Sequence, residues 1–368
     1  MFNKLKIIVV ILLLAAFCAF LFAYGQEYNK ENTDQMVAEV TENFINIFWD
    51  AKKNYFYHNN TQMLDLKHFS GPLLGLYTDF WLEAQNWETV MDIYERQGTD
   101  FYRDMIDKVY DGFIYFYPDF TKNMYYDDIG WWAMGCTRAY ATCGDSRYLN
   151  DAKTMFDYIY TAWSEDIGGG LFWNTNRTEK NVCTNCPAAT TAARLSVLLG
   201  DQSYLQKAVE IFDWVNDNLY DAQTGKLNDT KRLDGSISQG QYSYNYGTFA
   251  GAAYELYTAT ADEGYLEYVI KPLDYLLATK ATEGILHSEG DGDGSAFRTI
   301  YLRTLNKVKA LKSEYQEIIN INALATYNNR RESDKLNGHD WTKPPAENEI
   351  IMSTLVATSV SLMQFYVV

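Results

Sequence analysis

The sequence predicts an all-α fold, an (α/α)6 toroid built from six helical hairpins. Apolar residues recur at helical spacing along nearly the whole chain, and only 6 prolines occur among its 368 residues, so no proline-rich linker divides it. Short Gly-Asp or Ala-Asp turns recur about every 55–60 residues, each followed by a tyrosine, which is typical of repeated hairpins. Six hairpins close into a ring, and an open helical solenoid is the alternative arrangement.

Helical periodicity places twelve helices in order along the chain. The turns Gly144-Asp145, Gly200-Asp201 and Ala261-Asp262 separate the partners of three hairpins. The apolar run 350–368 is compatible with a lipid-anchor signal, but polar residues interrupt it, and we expect it to complete the twelfth helix. The expected helices are 34–53, 72–96, 100–110, 128–142, 147–163, 187–199, 203–219, 246–260, 264–280, 296–310, 312–327 and 347–365.

The N-terminus predicts export. A short basic start precedes an apolar run over 7–23, and small residues follow at Ala23 and Gly25, as in a secretory signal peptide. We therefore expect residues 1–25 to be a signal peptide and 26–368 to form one domain, in a protein that is secreted or held at the cell surface. An uncleaved signal anchor is the alternative, and it would attach the domain to a membrane.

Four cysteines follow the predicted signal: Cys136, Cys143, Cys183 and Cys186. An even number in an exported chain predicts two disulfides, with three possible pairings. The Cys183-Thr-Asn-Cys186 segment also fits half of a zinc site, but the chain has no second CxxC motif. We therefore favour disulfides and expect no metal.

Charge and aromatic content narrow the class of ligand. The chain has 31 basic and 48 acidic residues, a net charge of −17, which argues against a nucleic-acid partner. Aromatic residues make up 16% of the chain. Aromatic rings stack on the C–H faces of sugars, and carboxylates bind their hydroxyl groups. The composition therefore favours a neutral carbohydrate.

The densest chemistry lies in the segment Tyr125-Tyr126-Asp127-Asp128-Ile-Gly-Trp131-Trp132. Two carboxylates at the start of a helix often act only as a cap and as partners of the helix dipole. Here aromatic residues flank the pair. A glycosidase needs one ionised and one protonated carboxyl, and an apolar wall keeps the second protonated. Neighbouring aspartates suit the short carboxyl separation of retaining enzymes, about 5–5.5 Å, better than the longer one of inverting enzymes.

This aspartate-pair segment resembles the signature of glycoside hydrolase family 76, the endo-α-1,6-mannanases. Four further segments resemble family segments in the same order, and Tyr246, Arg298 and Thr299 replace family Gln, Lys and Gly residues within them. These segments are Gly169-Gly170-Leu-Phe-Trp173-Asn174, Lys180-Asn181 with Asn185-Cys-Pro187, Tyr244-Asn245-Tyr246-Gly247-Thr248, and Phe297-Arg298 with Arg303.

The resemblance implies an (α/α)6 fold and a retaining endo-α-1,6-mannanase, with Asp127 as the nucleophile and Asp128 as the acid/base. The expected partner is α-1,6-mannan or a manno-oligosaccharide, and the chemistry requires no cofactor. Two alternatives stay open: a cell-wall transglycosidase acting on mannose-containing glycans or glycolipid anchors, and a non-catalytic mannan-binding protein. The candidate substrate-binding residues are Tyr125, Tyr126, Trp131, Trp132, Trp173, Asn185, Asn245, Tyr246 and Arg298.

Overall fold

The computed structural model describes residues 30–65 and 69–368, so the predicted signal peptide lies outside the described residues. Twelve long helices dominate the described chain, in agreement with the predicted number and order. They are α1 Lys30–Phe48, α2 Phe80–Gln97, α3 Asp100–Phe116, α4 Tyr126–Cys143, α5 Ser146–Tyr160, α6 Val182–Leu199, α7 Gln202–Leu219, α8 Ser243–Thr260, α9 Tyr265–Lys280, α10 Gly294–Val308, α11 Glu314–Asn328 and α12 Ser353–Phe365.

The even-numbered helices form a closed inner ring. Each of them packs against the next, and α12 packs against α2, while the odd-numbered helices lie outside. The inner helices are correspondingly buried, and every residue of α12 is buried. The toroid is therefore confirmed over the open solenoid, and the apolar C-terminal run contributes the last inner helix.

The turns that repeat in the sequence connect three inner helices, α4, α6 and α8, to the outer helix that follows each of them. Gly144 and Gly200 end α4 and α6 in the left-handed conformation, with φ of 73° and 65°. The aspartate that follows each glycine caps the next helix, because its carboxylate accepts a hydrogen bond from a backbone N–H of that helix. The longer connections, which lead from outer to inner helices, all lie at the opposite end of the toroid.

Short strands stiffen these longer connections. Three of them form an antiparallel sheet in which Glu179 pairs with Arg232 and Thr230 pairs with Ser238. The sheet thus joins the segment before α6 to the segment before α8. The strands are β1 Trp49–Asp50, β2 Tyr55–Phe56, β3 Glu179–Asn181, β4 Thr230–Arg232, β5 Ile237–Ser238, β6 Ala281–Thr282 and β7 Ile285–Leu286.

Ion pairs occupy the bore of the ring towards the C-terminal ends of the inner helices. Asp92, almost fully buried, contacts Arg138 at 2.7 Å and Arg303 at 2.8 Å. Arg194 contacts Glu255 at 2.7 Å. Cations near helix C-termini are favourable, because the backbone carbonyls concentrate negative charge there. Arg303, which the sequence places in a family-like segment with Phe297 and Arg298, thus holds a buried carboxylate of the scaffold.

The predicted disulfides are wrong for this structure. Cys136, Cys143, Cys183 and Cys186 are all free thiols. Cys136 and Cys143 lie on one helix, and seven residues of helix rise by about 10.5 Å, beyond the reach of a disulfide. Cys183 and Cys186 lie one turn apart on α6, and the Cys183 thiol contacts Asp127 instead.

Among residues 30–65 and 69–368, no helix combines the length and the apolar character that crossing a bilayer requires.

Candidate active site

The N-terminal ends of the inner helices converge on an open cavity of about 620 Å³. Its floor comes from the first turns of α2, α4, α6, α8 and α10, and the β3–β4–β5 sheet forms one wall. Helix N-termini carry partial positive charge, so this floor favours carboxylates and developing negative charge. The lining residues are Ser70, Asp79, Trp81, Tyr125, Asp127, Asp128, Trp131, Trp173, Glu179, Asn181, Cys183, Asp229, Thr230, Arg232, Tyr242, Tyr244, Asp293 and Phe297.

Asp127 lies in the first turn of α4, at the centre of this cavity, and its carboxylate accepts three hydrogen bonds. Its Oδ2 accepts from the Trp173 indole Nε1 at 2.9 Å and from the Cys183 thiol at 3.2 Å. Its Oδ1 accepts from the backbone N–H of Asp128 at 3.0 Å. Burial raises the pKa of Asp127 to about 6, while the Cys183 and Trp173 hydrogen bonds act to lower it. The carboxyl is therefore ionised near neutral pH.

Asp128 has a different environment from its neighbour. Its Oδ2 accepts one side-chain hydrogen bond, from the Asn123 amide at 2.8 Å. Burial, and then the charge of Asp127, raise the pKa of Asp128 well above its ordinary value. A second cavity, of about 380 Å³, also reaches Asp128 and Tyr125. The adjacent aspartates therefore have unequal environments: hydrogen bonds hold the Asp127 carboxylate, whereas burial and the neighbouring charge favour the protonated form of Asp128.

The loop that carries Trp173 is held rigidly. Gly168, Gly169 and Gly170 adopt φ of 85°, 98° and 83°, which side-chain-bearing residues rarely adopt. A Cβ on Gly170 would also lie 2.4 Å from the Trp214 ring, so glycine is required there. The buried Lys180 ammonium donates to the carbonyl oxygens of this segment: Ser164 at 2.7 Å, Asp166 at 2.7 Å and Gly169 at 2.5 Å.

Aromatic rings from four inner helices line the cavity beside the aspartates. Tyr244 stacks on Phe297, with ring centroids 4.1 Å apart. Trp131 lies 6.0 Å from Trp81 and 6.4 Å from Tyr244. The Trp81 indole donates to Asp293 at 3.1 Å. These residues provide apolar faces and carboxylate oxygens side by side, the combination that suits a sugar ring.

Three of the predicted substrate-binding residues line the cavity. Trp131 and Trp173 are described above, and Tyr125 lies against Trp173 with ring centroids 5.0 Å apart.

Trp132 and Tyr126 lie outside the lining of the cavity. Trp132 is fully buried and stacks on Phe113 at 3.6 Å, because successive helical residues point in directions about 100° apart. Tyr126 is buried against Tyr158. Both side chains therefore belong to the packing of α4.

Four further candidates are buried and hold the scaffold. Asn185 hydrogen-bonds the backbone of Leu171 in both directions, and the Asn245 amide donates to Asp229 at 2.8 Å. The Tyr246 hydroxyl accepts from the backbone N–H of Leu227 at 3.0 Å. The Arg298 guanidinium stacks 3.5 Å from the Trp341 ring centre and donates to the His339 carbonyl at 2.6 Å. None of these four side chains lines the main cavity; each holds a neighbouring segment or side chain in place.

The sequence analysis missed several lining residues. Asn123, whose amide donates to Asp128 and which lines the second cavity, belongs to no recognised motif. Cys183 was predicted to form a disulfide. Six more lie at or just before the starts of inner helices. The predicted toroid could have identified them, because the first turns of all its inner helices lie at the same end of the ring and therefore meet around one cavity. These are Asp79, Trp81, Tyr242, Tyr244, Asp293 and Phe297.

Known proteins are similar to this chain in both fold and sequence. The α-1,6-mannanase GH76A of Salegentibacter sp. HEL1_6 is 27% identical, with a TM-score of 0.81 over 90% of this chain and 98% of that one. A variant of that enzyme, inactive through replacement of two adjacent aspartates by asparagine, has been solved with α-1,6-mannotriose; it is 26% identical, with the same TM-score.

Curated fungal relatives match shorter parts of the chain. The mannan endo-1,6-alpha-mannosidase DFG5 of Saccharomyces cerevisiae is 33% identical over 38% of this chain and 34% of that protein. The DFG5 protein of Candida albicans is 28% identical over 52% and 48%. The chain thus spans between a third and a half of the length of these relatives.

The sequence model of glycosyl hydrolase family 76 matches residues 32–365, from the first helix of the outer ring to the last residue of α12. The match includes the aspartate pair, the segments that carry Asn123 and Trp173, and all six inner helices. The chain therefore belongs to glycosyl hydrolase family 76.

Proposed function

We propose that this protein is an exported, retaining endo-α-1,6-mannanase that cuts internal bonds of mannan backbones. The observation that carries the proposal is the unequal environment of Asp127 and Asp128. Asp127 is held by three hydrogen bonds, whereas burial and the neighbouring charge keep Asp128 protonated. Two carboxyls in opposite protonation states are what double displacement at a sugar carbon requires.

In the first step, an oxygen of Asp127 attacks the anomeric carbon and forms a covalent glycosyl ester. The bond from that carbon to the leaving oxygen breaks, and the leaving oxygen takes the proton of Asp128. In the second step, Asp128 accepts a proton from water as the water attacks the same carbon, and the ester bond to Asp127 breaks. Two displacements restore the original anomeric configuration.

The choice of mannan follows from the site and from the relatives. The cavity offers aromatic faces at Trp131 and Tyr244 and carboxylates at Asp79 and Asp293, a lining that suits a neutral sugar chain. The Salegentibacter enzyme, which shares the fold at 27% identity, is an α-1,6-mannanase. The main cavity and the second one share Tyr125 and Asp128 in their linings, and open space on both sides of the aspartate pair suits cleavage inside a chain.

The direct test is to incubate residues 26–368 with unbranched α-1,6-mannan and follow the products by chromatography and anomeric NMR. Short oligosaccharides released first as α-anomers support the proposal. β-Anomers released first would overturn retention. Transfer to an added acceptor without hydrolysis would favour the transglycosidase, and binding without any product would favour a mannan-binding protein.

The pH dependence should show an acid limb set by Asp127. Its carboxyl must be ionised to attack, and its pKa is raised to about 6, so kcat/KM should rise as the pH increases through about 6. Activity should then fall at higher pH as Asp128, whose pKa is raised well above its ordinary value, loses its proton. Initial rates on mannan measured between about pH 4 and 10 check this. A maximum at or below about pH 4 would contradict the assignment of the ionised role to Asp127.

Two adjacent tryptophans should differ in their effect on mannan binding when each is replaced by alanine. Trp131→Ala removes part of the cavity wall, and we expect mannan binding to weaken by about tenfold, since one ring stacked on a ligand contributes about 1–3 kcal/mol. Trp132→Ala empties a buried site and should lower the free energy of unfolding by about 3–5 kcal/mol. Calorimetric titration with a mannotetraose, made in an Asp127→Asn background so that the ligand is not cleaved, measures binding, and chemical denaturation measures stability. Equal losses of mannan binding in the two variants would contradict the placement of these rings.

A further inference from the structure

The Cys183 thiol contacts the carboxylate of Asp127. It lies in the first turn of α6, where Asn181 caps the helix by accepting the backbone N–H of Thr184 at 3.1 Å. The residue is 5% exposed and lines the main cavity. The other cysteine of the CxxC segment, Cys186, is fully buried one turn further along the same helix.

The thiol and the Trp173 indole donate to the same oxygen of Asp127. The Cys183 sulfur lies 3.2 Å from Oδ2, and the Trp173 Nε1 lies 2.9 Å from it. The other oxygen, Oδ1, accepts the backbone N–H of Asp128. The two side-chain donors therefore distinguish the two oxygens of the carboxylate.

We propose that Cys183 is a positioning residue of the reaction: with Trp173, its thiol holds Oδ2 and leaves Oδ1 to attack the sugar. This inference rests on the proposed function, in which Asp127 is the nucleophile. A carboxylate that is free to rotate would present either oxygen, and part of the bound substrate would meet it in an unproductive orientation.

The surroundings of the thiol suit this role. Burial, and then the charges of Asp127 and Asp229, raise the pKa of Cys183 well above its ordinary value, so the thiol keeps the proton that it donates. Tyr244, in the first turn of α8, lines the cavity together with Cys183. The other charged groups that face this part of the cavity are Asp79, Asp128, Glu179, Arg232 and Asp293.

The test measures the titration of Asp127 directly, without turnover. In protein labelled with ¹³C at aspartate carboxyl carbons, the Asp127 signal is assigned by its loss in Asp127→Asn. We expect Cys183→Ala to raise the midpoint by about half a pH unit, since a donor to the ionised form is lost. Cys183→Ser should lower the midpoint, because a hydroxyl is a stronger donor than a thiol. Cys186→Ala is the matched control and should leave the midpoint unchanged.

An unchanged midpoint in Cys183→Ala would overturn the inference, as would equal upward shifts in the alanine and serine variants. If the alanine variant fails to fold, the serine variant decides: a lower midpoint supports the role, and an unchanged or higher one excludes it. This measurement stays decisive even if the wild-type chain does not cleave mannan, so the two proposals fail separately.

Where the wild type is active, kinetics provide a second readout. We expect kcat of Cys183→Ala to fall by about fivefold at little cost in KM, since the thiol acts on Asp127 and does not hold the sugar. Its acid limb should shift with the NMR midpoint. A loss confined to KM would assign Cys183 to substrate binding and contradict the positioning role.

Discussion

Asp127→Asn is expected to reduce mannan hydrolysis by about 10⁴-fold or more, because an amide cannot form the covalent ester and no other step bypasses it. Asp128→Asn should cost about 10²–10⁴-fold, the usual contribution of a general acid. Both variants should fold, since asparagine preserves the shape of the aspartate side chain and adds no charge to the buried pair. Initial rates on α-1,6-mannan, with thermal melting as the check on folding, measure both effects.

The two roles can be separated with a better leaving group. An aryl α-1,6-mannobioside releases a phenolate that needs little protonation, so Asp128→Asn should still form the glycosyl ester with Asp127 and release phenol in a burst. Asp127→Asn should give no burst on the same substrate. Azide, which attacks without a general base, should restore turnover of the Asp128 variant with retained configuration. A burst in Asp127→Asn, with none in Asp128→Asn, would reverse the assignment.

Much of the fold follows from local sequence signals. Gly144-Asp145 and Gly200-Asp201 specify where one helix ends and the next begins, because glycine adopts the left-handed conformation and aspartate caps the following helix. Such signals repeat with the hairpins, so both the number and the order of the helices could be predicted.

The site could be predicted only in part, because the roles of many side chains depend on distant contacts. Trp131 and Trp132 are equivalent in sequence and both are buried, yet only Trp131 lines the cavity. Arg298 stacks on Trp341, which follows 43 residues later, and no local pattern reveals that contact. The sequence predicts that Cys183 forms a disulfide, whereas the packing of α4 against α6 places its free thiol against Asp127.

The position of Asp127 depends on residues behind the cavity wall, and one of them is the buried Lys180. The fully buried ammonium donates to three backbone carbonyls of the loop that carries Trp173. Lys180→Met preserves the length of the side chain but leaves those carbonyls without their donor. We expect the free energy of unfolding to fall by about 3 kcal/mol, the range found when one partner of a buried charged interaction is removed.

The same substitution should also affect catalysis from a distance. A loosened loop no longer fixes the Trp173 indole on Asp127, so kcat should fall by about tenfold while mannan binding by the α2, α8 and α10 aromatics changes little. Lys231→Met is the matched control. Lys231 pairs with Lys180 across the β3–β4 strands but donates to the Asn218 side chain outside the loop. Chemical denaturation and initial rates should show both losses in Lys180→Met and neither in Lys231→Met. Equal effects of the two variants would mean that the sheet, and not the ammonium, holds the loop.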